Sequence, residues 1–179
     1  MATILAFAGS NSSTSINFQL VKYSASIVGD QAVQLLNMAY FPFPMYSIDH
    51  EREKGFSNSL VELKNDINKA DGLIISANEH NGNISAYFKN LLDWLSRLER
   101  KFLQDKVILL MSTSGGKRGG LGALEIAEKT LVRFGASEVL TFSLPSFKAN
   151  FDKSKGIVND GLAKLHQEKI AEFLSKIQA

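Results

Sequence analysis

Apolar residues in this chain occur in two patterns, short continuous runs and longer segments in which they recur every three or four positions. The short runs contain almost no alternating polar residues, which is typical of strands covered by helices on both faces. They lie at residues 3–8, 32–36, 72–77, 107–111 and 139–143. We predict that these five segments form one parallel sheet.

The longer segments predict an amphipathic helix after each strand. Ser57 or Asn58 is suited to capping the second helix, and Gly135 to ending the fourth. The stripes are Leu20, Val21, Ser24, Ile27 and Val28; Leu60, Leu63 and Ile67; Ile84, Phe88, Leu91, Leu92, Leu95 and Leu98; Leu124, Ala127, Leu131 and Phe134; and Leu162, Leu165, Ile170, Phe173, Leu174 and Ile177. Five strand–helix units joined by right-handed crossovers predict a doubly wound α/β fold, flavodoxin-like, with strand order 2-1-3-4-5 and helices on both faces.

Length and composition favour one domain over residues 1–179, because 45% hydrophobic and 21% charged residues are ordinary for a globular chain. No apolar run approaches the ~20 residues that cross a bilayer, and the first residues lack the pattern of a signal peptide. We therefore expect a cytoplasmic protein without a membrane partner. With no cysteine, the chain has no thiolate, disulfide or cysteine-ligated metal, so redox chemistry requires an organic cofactor.

Charge excludes one class of partner. The 20 basic and 18 acidic residues are spread along the chain and give a formal net charge of +2. Without a long basic block, nucleic acid is not an expected partner. The longest irregular segment, residues 37–56, carries Tyr40, Phe41, Phe43 and Tyr46 and is a candidate binding loop.

Three loops follow the first, third and fourth strands, where open α/β sheets bind ligands. The first, residues 9–17, is rich in serine and leads directly into a helix. Backbone N–H groups at a helix N-terminus together with hydroxyl groups suit a phosphate, although an ordinary N-cap explains the same residues. The loop is neither a Walker loop nor a G-x-G-x-x-G dinucleotide loop.

The other two loops suit a flat ring. Residues 76–85 offer backbone N–H groups and the ring of His80, but taken alone this segment is better explained as a solvated turn. Residues 112–120 hold Gly115, Gly116, Gly119 and Gly120, which permit close backbone approach or a flexible surface loop.

Together the three loops resemble those of the NADPH-dependent FMN reductase family, whose relatives include chromate, quinone and azo-dye reductases. That family has G-S-x-R-x-x-S-x-N after its first strand, P-E-Y-N-G and then L-K-N-x-x-D-W-x-S-R after its third, and a glycine-rich loop after its fourth. It also has P-x-Y-x-x-D before its second helix. The matching residues are Gly9, Ser10, Ser15, Asn17, Tyr46, Asp49, Glu79, Asn81, Gly82, Lys89, Asn90, Asp93, Trp94, Ser96, Arg97, Ser114, Gly115 and Gly116.

The resemblance implies an FMN-binding domain in which NAD(P)H is the cosubstrate and electrons pass through FMN to a flavin, quinone or similar small-molecule acceptor. The His80 ring either packs on the flavin or is simply exposed, and N–H groups near Asn81 and Gly116 are expected to stabilise the reduced flavin. The implied cofactor-binding residues are Ser10, Ser12, Ser15, Ile16, Asn17, Asn78, Glu79, His80, Asn81, Gly82, Ser114, Gly115 and Gly116. No catalytic side chain is assigned. No metal site is expected, because the two His–Glu pairs are adjacent in sequence and lack a third ligand.

Several residues depart from the family pattern within the site. Ser12 replaces the arginine that would pair with the phosphate, Asn78 replaces proline, and His80 replaces tyrosine, while Ser85 and Ala86 stand where P-G is frequent. A noncatalytic alternative therefore remains, either a flavin-binding sensor or a module that binds no flavin. Hydrolase and receiver functions lack their required motifs, namely a G-x-S-x-G elbow and carboxylates after the first and third strands.

The third helix has a second stripe, Trp94, Arg97, Arg100 and Lys101, predicted to point away from the sheet. Because family members are usually homodimers or dimers of dimers, the resemblance implies a homodimer or homotetramer. The aromatic segment 40–46 either contributes to that contact or packs within one subunit.

Overall fold

The structure is a computed structural model that describes residues 1–178. A five-stranded sheet forms its centre, with two small hairpins at the carboxyl side of the sheet strands. The strands are β1 (Thr3–Ala8), β2 (Ala32–Leu36), β3 (Gly72–Ser76), β4 (Glu79–His80), β5 (Asn83–Ile84), β6 (Val107–Thr113), β7 (Glu138–Leu144), β8 (Phe151–Asp152) and β9 (Gly156–Ile157). The helices are α1 (Ile16–Ser26), α2 (Ile48–Lys54), α3 (Asn58–Lys69), α4 (Ala86–Leu98), α5 (Leu121–Arg133), α6 (Phe147–Asn150) and α7 (Asp160–Ile177), with a 3₁₀ turn at Met38–Tyr40.

The five long strands are parallel and follow the order β2-β1-β3-β6-β7, which confirms the predicted order 2-1-3-4-5. Their register places Ala8 of β1 beside Ser76 of β3, and Ser76 beside Met111 of β6. The carboxyl ends of these three strands therefore meet at one edge, and the loops that follow them share that edge.

Helices cover both faces of the sheet, as predicted. Leu63 of α3, Phe88 of α4 and Leu131 of α5 belong to the core on one face. Leu20 of α1 and Phe173 of α7 belong to the core on the other face. Burial of such apolar side chains on each face is the main favourable contribution to this fold.

Several boundaries differ from the prediction. Helix α1 ends at Ser26, so Ile27 and Val28 lie beyond it, and Ile84 belongs to β5 rather than to α4. The predicted irregular segment 37–56 contains α2, which has seven residues and buries none of them. A helix without a buried apolar stripe leaves no periodic pattern in the sequence.

Trp94, which was predicted to point away from the sheet, is nevertheless buried. Its side chain is 2% exposed and packs against the rings of Tyr46 and Phe56. The indole Nε1 donates a hydrogen bond of 2.8 Å to the carbonyl oxygen of Pro44, which also accepts one of 2.9 Å from Asn90 Nδ2. The segment after β2 thus lies across α4 and covers the ring.

An ion pair secures the same contact. Arg97 donates two hydrogen bonds to the Glu51 carboxylate, from Nε at 2.9 Å and from Nη2 at 3.1 Å, and these lower the pKa of Glu51. The Tyr46 hydroxyl donates to the same carboxylate at 2.9 Å. Partial desolvation and this hydrogen bond raise the pKa of Tyr46. The family-like residues of α4 therefore hold the 41–54 segment in place.

None of the helices within residues 1–178 combines the length and apolar character needed to span a membrane.

Candidate functional site

The loop after β1 presents the N-terminus of α1. Ser15 caps the helix, its Oγ accepting a hydrogen bond of 3.1 Å from the N–H of Phe18. The N–H groups of Ile16 and Asn17 have no acceptor within the helix, because the first turn of any helix leaves its donors free. Ser12 and Ser15 lie at the solvent-accessible rim of the loop, whereas Ser10 is 7% exposed. The predicted phosphate loop is thus a helix N-terminus lined with hydroxyl groups, which favours an anion.

Gly9 allows this loop to lie directly on α4. A Cβ added at Gly9 would fall 2.5 Å from Cδ2 of Phe88, far inside van der Waals contact. Ser85 joins the same elements, since its Oγ donates a hydrogen bond of 2.9 Å to the Gly9 carbonyl and accepts one of 3.1 Å from the Phe88 N–H. Ser85 is therefore the N-cap of α4 and fixes the loop against that helix.

Asn17 ties the ends of three elements together. Its side chain is 3% exposed and donates from Nδ2 to the carbonyl of Thr113 at 3.1 Å. The Oδ1 atom accepts from the Thr113 N–H at 3.0 Å and from Ser76 Oγ at 2.7 Å. These contacts hold the start of α1 against the ends of β3 and β6, and leave the Asn17 backbone N–H at the helix N-terminus.

The loop after β3 folds into a tight hairpin of β4 and β5. Asn81 and Gly82 occupy its turn with φ angles of 53° and 74°, the left-handed pair found in a two-residue type I′ turn. Asn-Gly is the favoured sequence for that turn, so the sequence contains a hairpin signal, although residues 76–85 were predicted only as a loop. The turn fixes the direction in which His80 and Asn83 project.

Glu79 joins this hairpin to the third loop. Its Oε2 accepts a hydrogen bond of 3.1 Å from the N–H of Ala123, in the first turn of α5. Gly120, the N-cap of α5, provides no side-chain cap, so Glu79 satisfies one of the free donors of that helix. Its carboxylate is thereby turned toward α5.

Asn78 is the buried polar residue at the end of β3. It is 8% exposed, and its Oδ1 has no hydrogen-bond partner among residues 1–178. Its Nδ2 lies 3.5 Å from Nε2 of His80, whose ring is exposed. A buried, unpaired acceptor is costly in a folded protein, and this one lies at the end of β3, where the three loops meet.

The four glycines of the loop after β6 divide into two pairs. A Cβ on Gly119 or Gly120 would overlap the hydroxyl of Ser143 or Ser112, so this pair serves packing within the chain. Gly115 has nothing within 4 Å of such a Cβ, and Gly116 has only the Ser114 hydroxyl at 3.7 Å. The second pair leaves its backbone open to a ligand.

The third loop is anchored by backbone hydrogen bonds to the segment that follows β7. The carbonyls of Ser114 and Gly116 accept hydrogen bonds of 3.0 and 2.9 Å from the N–H groups of Phe147 and Ser146. Because these contacts engage the carbonyls, they fix the orientation of the 114–116 backbone.

Two cavities border the loops after β1 and β3. One, of about 640 Å³, lies beside the hairpin and is lined by His80, Asn81 and Lys89. The other, of about 720 Å³, begins at residues 13–15 and runs along α1. Neither of these cavities is lined by residues 114–116.

The residues at this edge fit FMN. The free donors of α1 suit a phosphate, the open backbone at Gly115 and Gly116 leaves room for a flat ring, and the unpaired Asn78 Oδ1 is suited to a ring N–H. Histidine, aspartate and glutamate side chains form no group of three that could hold a metal ion within residues 1–178.

The strand order and the three polar loops define a doubly wound, flavodoxin-like protein whose ligand site is at the switch point of the sheet. Residues 2–149 match the family described as NADPH-dependent FMN reductase. The chain therefore belongs to that family, which confirms the resemblance recognised in the sequence.

Curated relatives carry reductase names. The chain is 38% identical over 77 residues to the quinone reductase of Escherichia coli (strain K12), covering 43% of this chain and 41% of that protein. It is 27% identical over 170 residues to the NADH:(hydroxy)cinnamate reductase subunit CrdA of Vibrio ruber, covering 94% of this chain and 80% of that one. The match to the quinone reductase thus spans about two fifths of its length.

Solved structures share the fold. FerB, a flavoenzyme NAD(P)H:(acceptor) oxidoreductase from Paracoccus denitrificans, superposes with a TM-score of 0.80 at 21% identity, covering 99% of this chain and 98% of that one. The apo form of the NADH:FMN oxidoreductase EMOB gives 0.78 at 22% identity, covering 98% and 90%. These likenesses confirm the predicted flavodoxin-like architecture.

Proposed function

We propose that this protein is a flavin-dependent oxidoreductase that binds FMN at the edge formed by the three loops and uses NAD(P)H to reduce a quinone, a flavin or a similar small acceptor. The observation that carries the proposal is the meeting of three features at one sheet edge. These are the free donors of α1, the unpaired acceptor of Asn78, and the unobstructed backbone at Gly115 and Gly116. Family membership agrees with this assignment.

The phosphate end is assigned to the loop after β1. The N–H groups of Ile16 and Asn17, with the hydroxyls of Ser10, Ser12 and Ser15, supply donors to an anion there. Asn17 contributes through its backbone, because its side chain already bonds to Thr113 and Ser76.

The ring end is assigned to the other two loops. Asn78 would accept a hydrogen bond from the ring edge, and the turn at Asn81 and Gly82 would present backbone N–H groups beside it. Residues 114–116 provide the opposite border. Glu79 acts as a positioning residue, because its carboxylate holds the hairpin on α5, and His80 is free to pack on the ring from its exposed position.

When bound, FMN supplies the centre that accepts hydride from NAD(P)H and delivers electrons to the acceptor. The protein contributes by holding the ring and leaving one face accessible, so no acid or base side chain is assigned.

We further propose that the chain acts as a homodimer or homotetramer in the cytoplasm and that residues 1–179 form one domain. Support for the assembly comes from exposed apolar side chains. Tyr40 and Met45 are 80% and 71% exposed, and they place apolar surface next to the segment held on α4.

The test is steady-state oxidation of NADH and NADPH with added FMN and a benzoquinone acceptor. The proposal expects turnover that depends on FMN, falls in Asn78→Ala and is retained in the exposed control Asn68→Ala. FMN binding without turnover would support the noncatalytic alternative, for which the exposed Ser12, lacking a charge for the phosphate, is the favouring observation. Absence of both binding and turnover would overturn the proposal.

A further inference from the structure

The phosphate loop lacks a positive charge of its own. Residues 9–21 contain neither lysine nor arginine. The Ser12 hydroxyl is 3.3 Å from Thr14 Oγ1 and accepts a hydrogen bond of 3.3 Å from the Thr14 N–H. Position 12 therefore shapes its own loop and gives a phosphate dianion no counter-charge.

A groove leads away from this loop along the outer flank of α1. It has a volume of about 720 Å³ and begins at Ser13, Thr14 and Ser15. Lys22 of α1 lines it on one side, and Lys153 and Lys155 line it from the turn of the β8–β9 hairpin. Three lysines thus border a space that is continuous with the phosphate loop.

The hairpin that carries two of these lysines is firmly seated on α1. Gly156, with a φ angle of 79°, lies against the Tyr23 ring where no Cβ would fit. The Phe151 ring contacts Tyr23 edge-on at 5.8 Å and stacks on Phe147 at 4.6 Å. The lysines therefore project from an anchored turn, and the entropy lost on ligand binding is confined to their side chains.

The three lysines are available to a ligand. All are exposed, and none forms an ion pair within residues 1–178. Asp152 is the acidic residue of the hairpin, and its Oδ1 accepts hydrogen bonds from the N–H groups of Ser154 at 2.8 Å and Lys155 at 3.0 Å. It reduces the positive charge of the groove without cancelling it.

Gln19 adds an unsatisfied amide to the wall of the groove. Its Oε1 is shielded from solvent and has no hydrogen-bond partner in the described part of the chain. Because that oxygen is shielded, Gln19 lines the groove without turning its carbonyl oxygen toward an anion.

We propose that this groove binds a phosphomonoester dianion and that Lys153 and Lys155 supply the charge that position 12 lacks. The proposal rests on the proposed FMN binding. The ribityl phosphate of FMN and the 2′-phosphate of NADPH share this chemistry. The position of the groove, which opens at the N-terminus of α1, favours the FMN phosphate.

The experiment compares Lys153→Ala/Lys155→Ala with the matched control Lys69→Ala/Lys129→Ala, which removes two exposed lysines outside the groove. Fluorescence titration measures the Kd of each protein for FMN and for riboflavin, which lacks the phosphate. The groove variant is expected to lose about five- to tenfold in FMN affinity, as for loss of an exposed charged contact, and to keep its riboflavin affinity. Adding Ser12→Arg to that variant is expected to restore FMN binding.

A second arm separates the two phosphates through the KM values for NADPH and NADH. A raised KM for NADPH alone, with unchanged FMN affinity, supports the groove but assigns it to the 2′-phosphate. Unchanged FMN affinity together with an unchanged KM for NADPH overturns the inference while leaving the proposed function standing. Failure of the unsubstituted protein to bind any flavin overturns the proposed function itself.

Discussion

Replacing Asn17 with alanine is predicted to destabilise the protein although the residue belongs to the phosphate loop. The substitution removes the buried hydrogen bonds of 3.1, 3.0 and 2.7 Å that its side chain makes with Thr113 and Ser76. A net contribution of about 1 kcal/mol for each bond gives a loss of about 3 kcal/mol in the free energy of unfolding. For a chain of this size, that corresponds to a Tm lower by about 6–12 °C.

Urea denaturation followed by circular dichroism measures this loss, with the m value checked for constancy. Asn68→Ala is the matched control because Asn68 lies on the exposed surface of α3, where alanine is the better helix former. The control is expected to be neutral or slightly stabilising. A loss below about 1 kcal/mol for Asn17→Ala would refute the assignment of this side chain to the junction of α1, β3 and β6.

Two further predictions concern packing and pH. Gly9→Ala is expected to lower the free energy of unfolding by about 1–3 kcal/mol, because its Cβ would overlap the Phe88 ring. Gly115→Ala is the control and is expected to have little effect. Equal effects of the two substitutions in thermal melts would contradict the close contact between the loop after β1 and α4. His166 is fully buried, and burial lowers its pKa from 6.5 to about 4, so the unfolded chain binds its proton more readily between these values. The stability gained from the neutral ring is complete above pH 6.5 and lost as the pH falls toward 4, with a slope of up to about 1.4 kcal/mol per pH unit. Urea melts across this range test it, and His166→Gln retaining the same slope would count against this explanation.

The strands and their order could be predicted because each is an unbroken apolar run and right-handed crossovers leave few arrangements. Helix α2 could not be predicted from periodicity, because it buries no residue. The β4–β5 hairpin could have been predicted from the Asn81-Gly82 pair, but residues 76–85 were interpreted only as a ligand loop or a solvated turn.

The position of the site was predictable from the sequence, whereas the hydrogen-bond partners of its side chains were not. Glu79 matches a family position, yet its carboxylate bonds to Ala123, 44 residues away in sequence. Asn17 bonds to Thr113, 96 residues away. Such long-range partners leave no local pattern, so sequence alone does not separate residues that face a ligand from those that support the loop.

The burial of Trp94 could not be predicted from the sequence for the same reason. Its helical position suggested an outward stripe, but the segment after β2 returns across α4, and Pro44 accepts the indole hydrogen bond. Whether an aromatic side chain on a helix is buried depends on the segment that packs over it. For Trp94 that segment comes from another part of the chain.

Binding of FMN where the three loops meet is tested most directly by backbone amide NMR during an FMN titration. The perturbed amides are expected to cluster in residues 10–17, 78–82 and 114–116, with smaller shifts in the β8–β9 turn. Absence of perturbation, or a cluster at another surface such as the solvent face of α7, would contradict it.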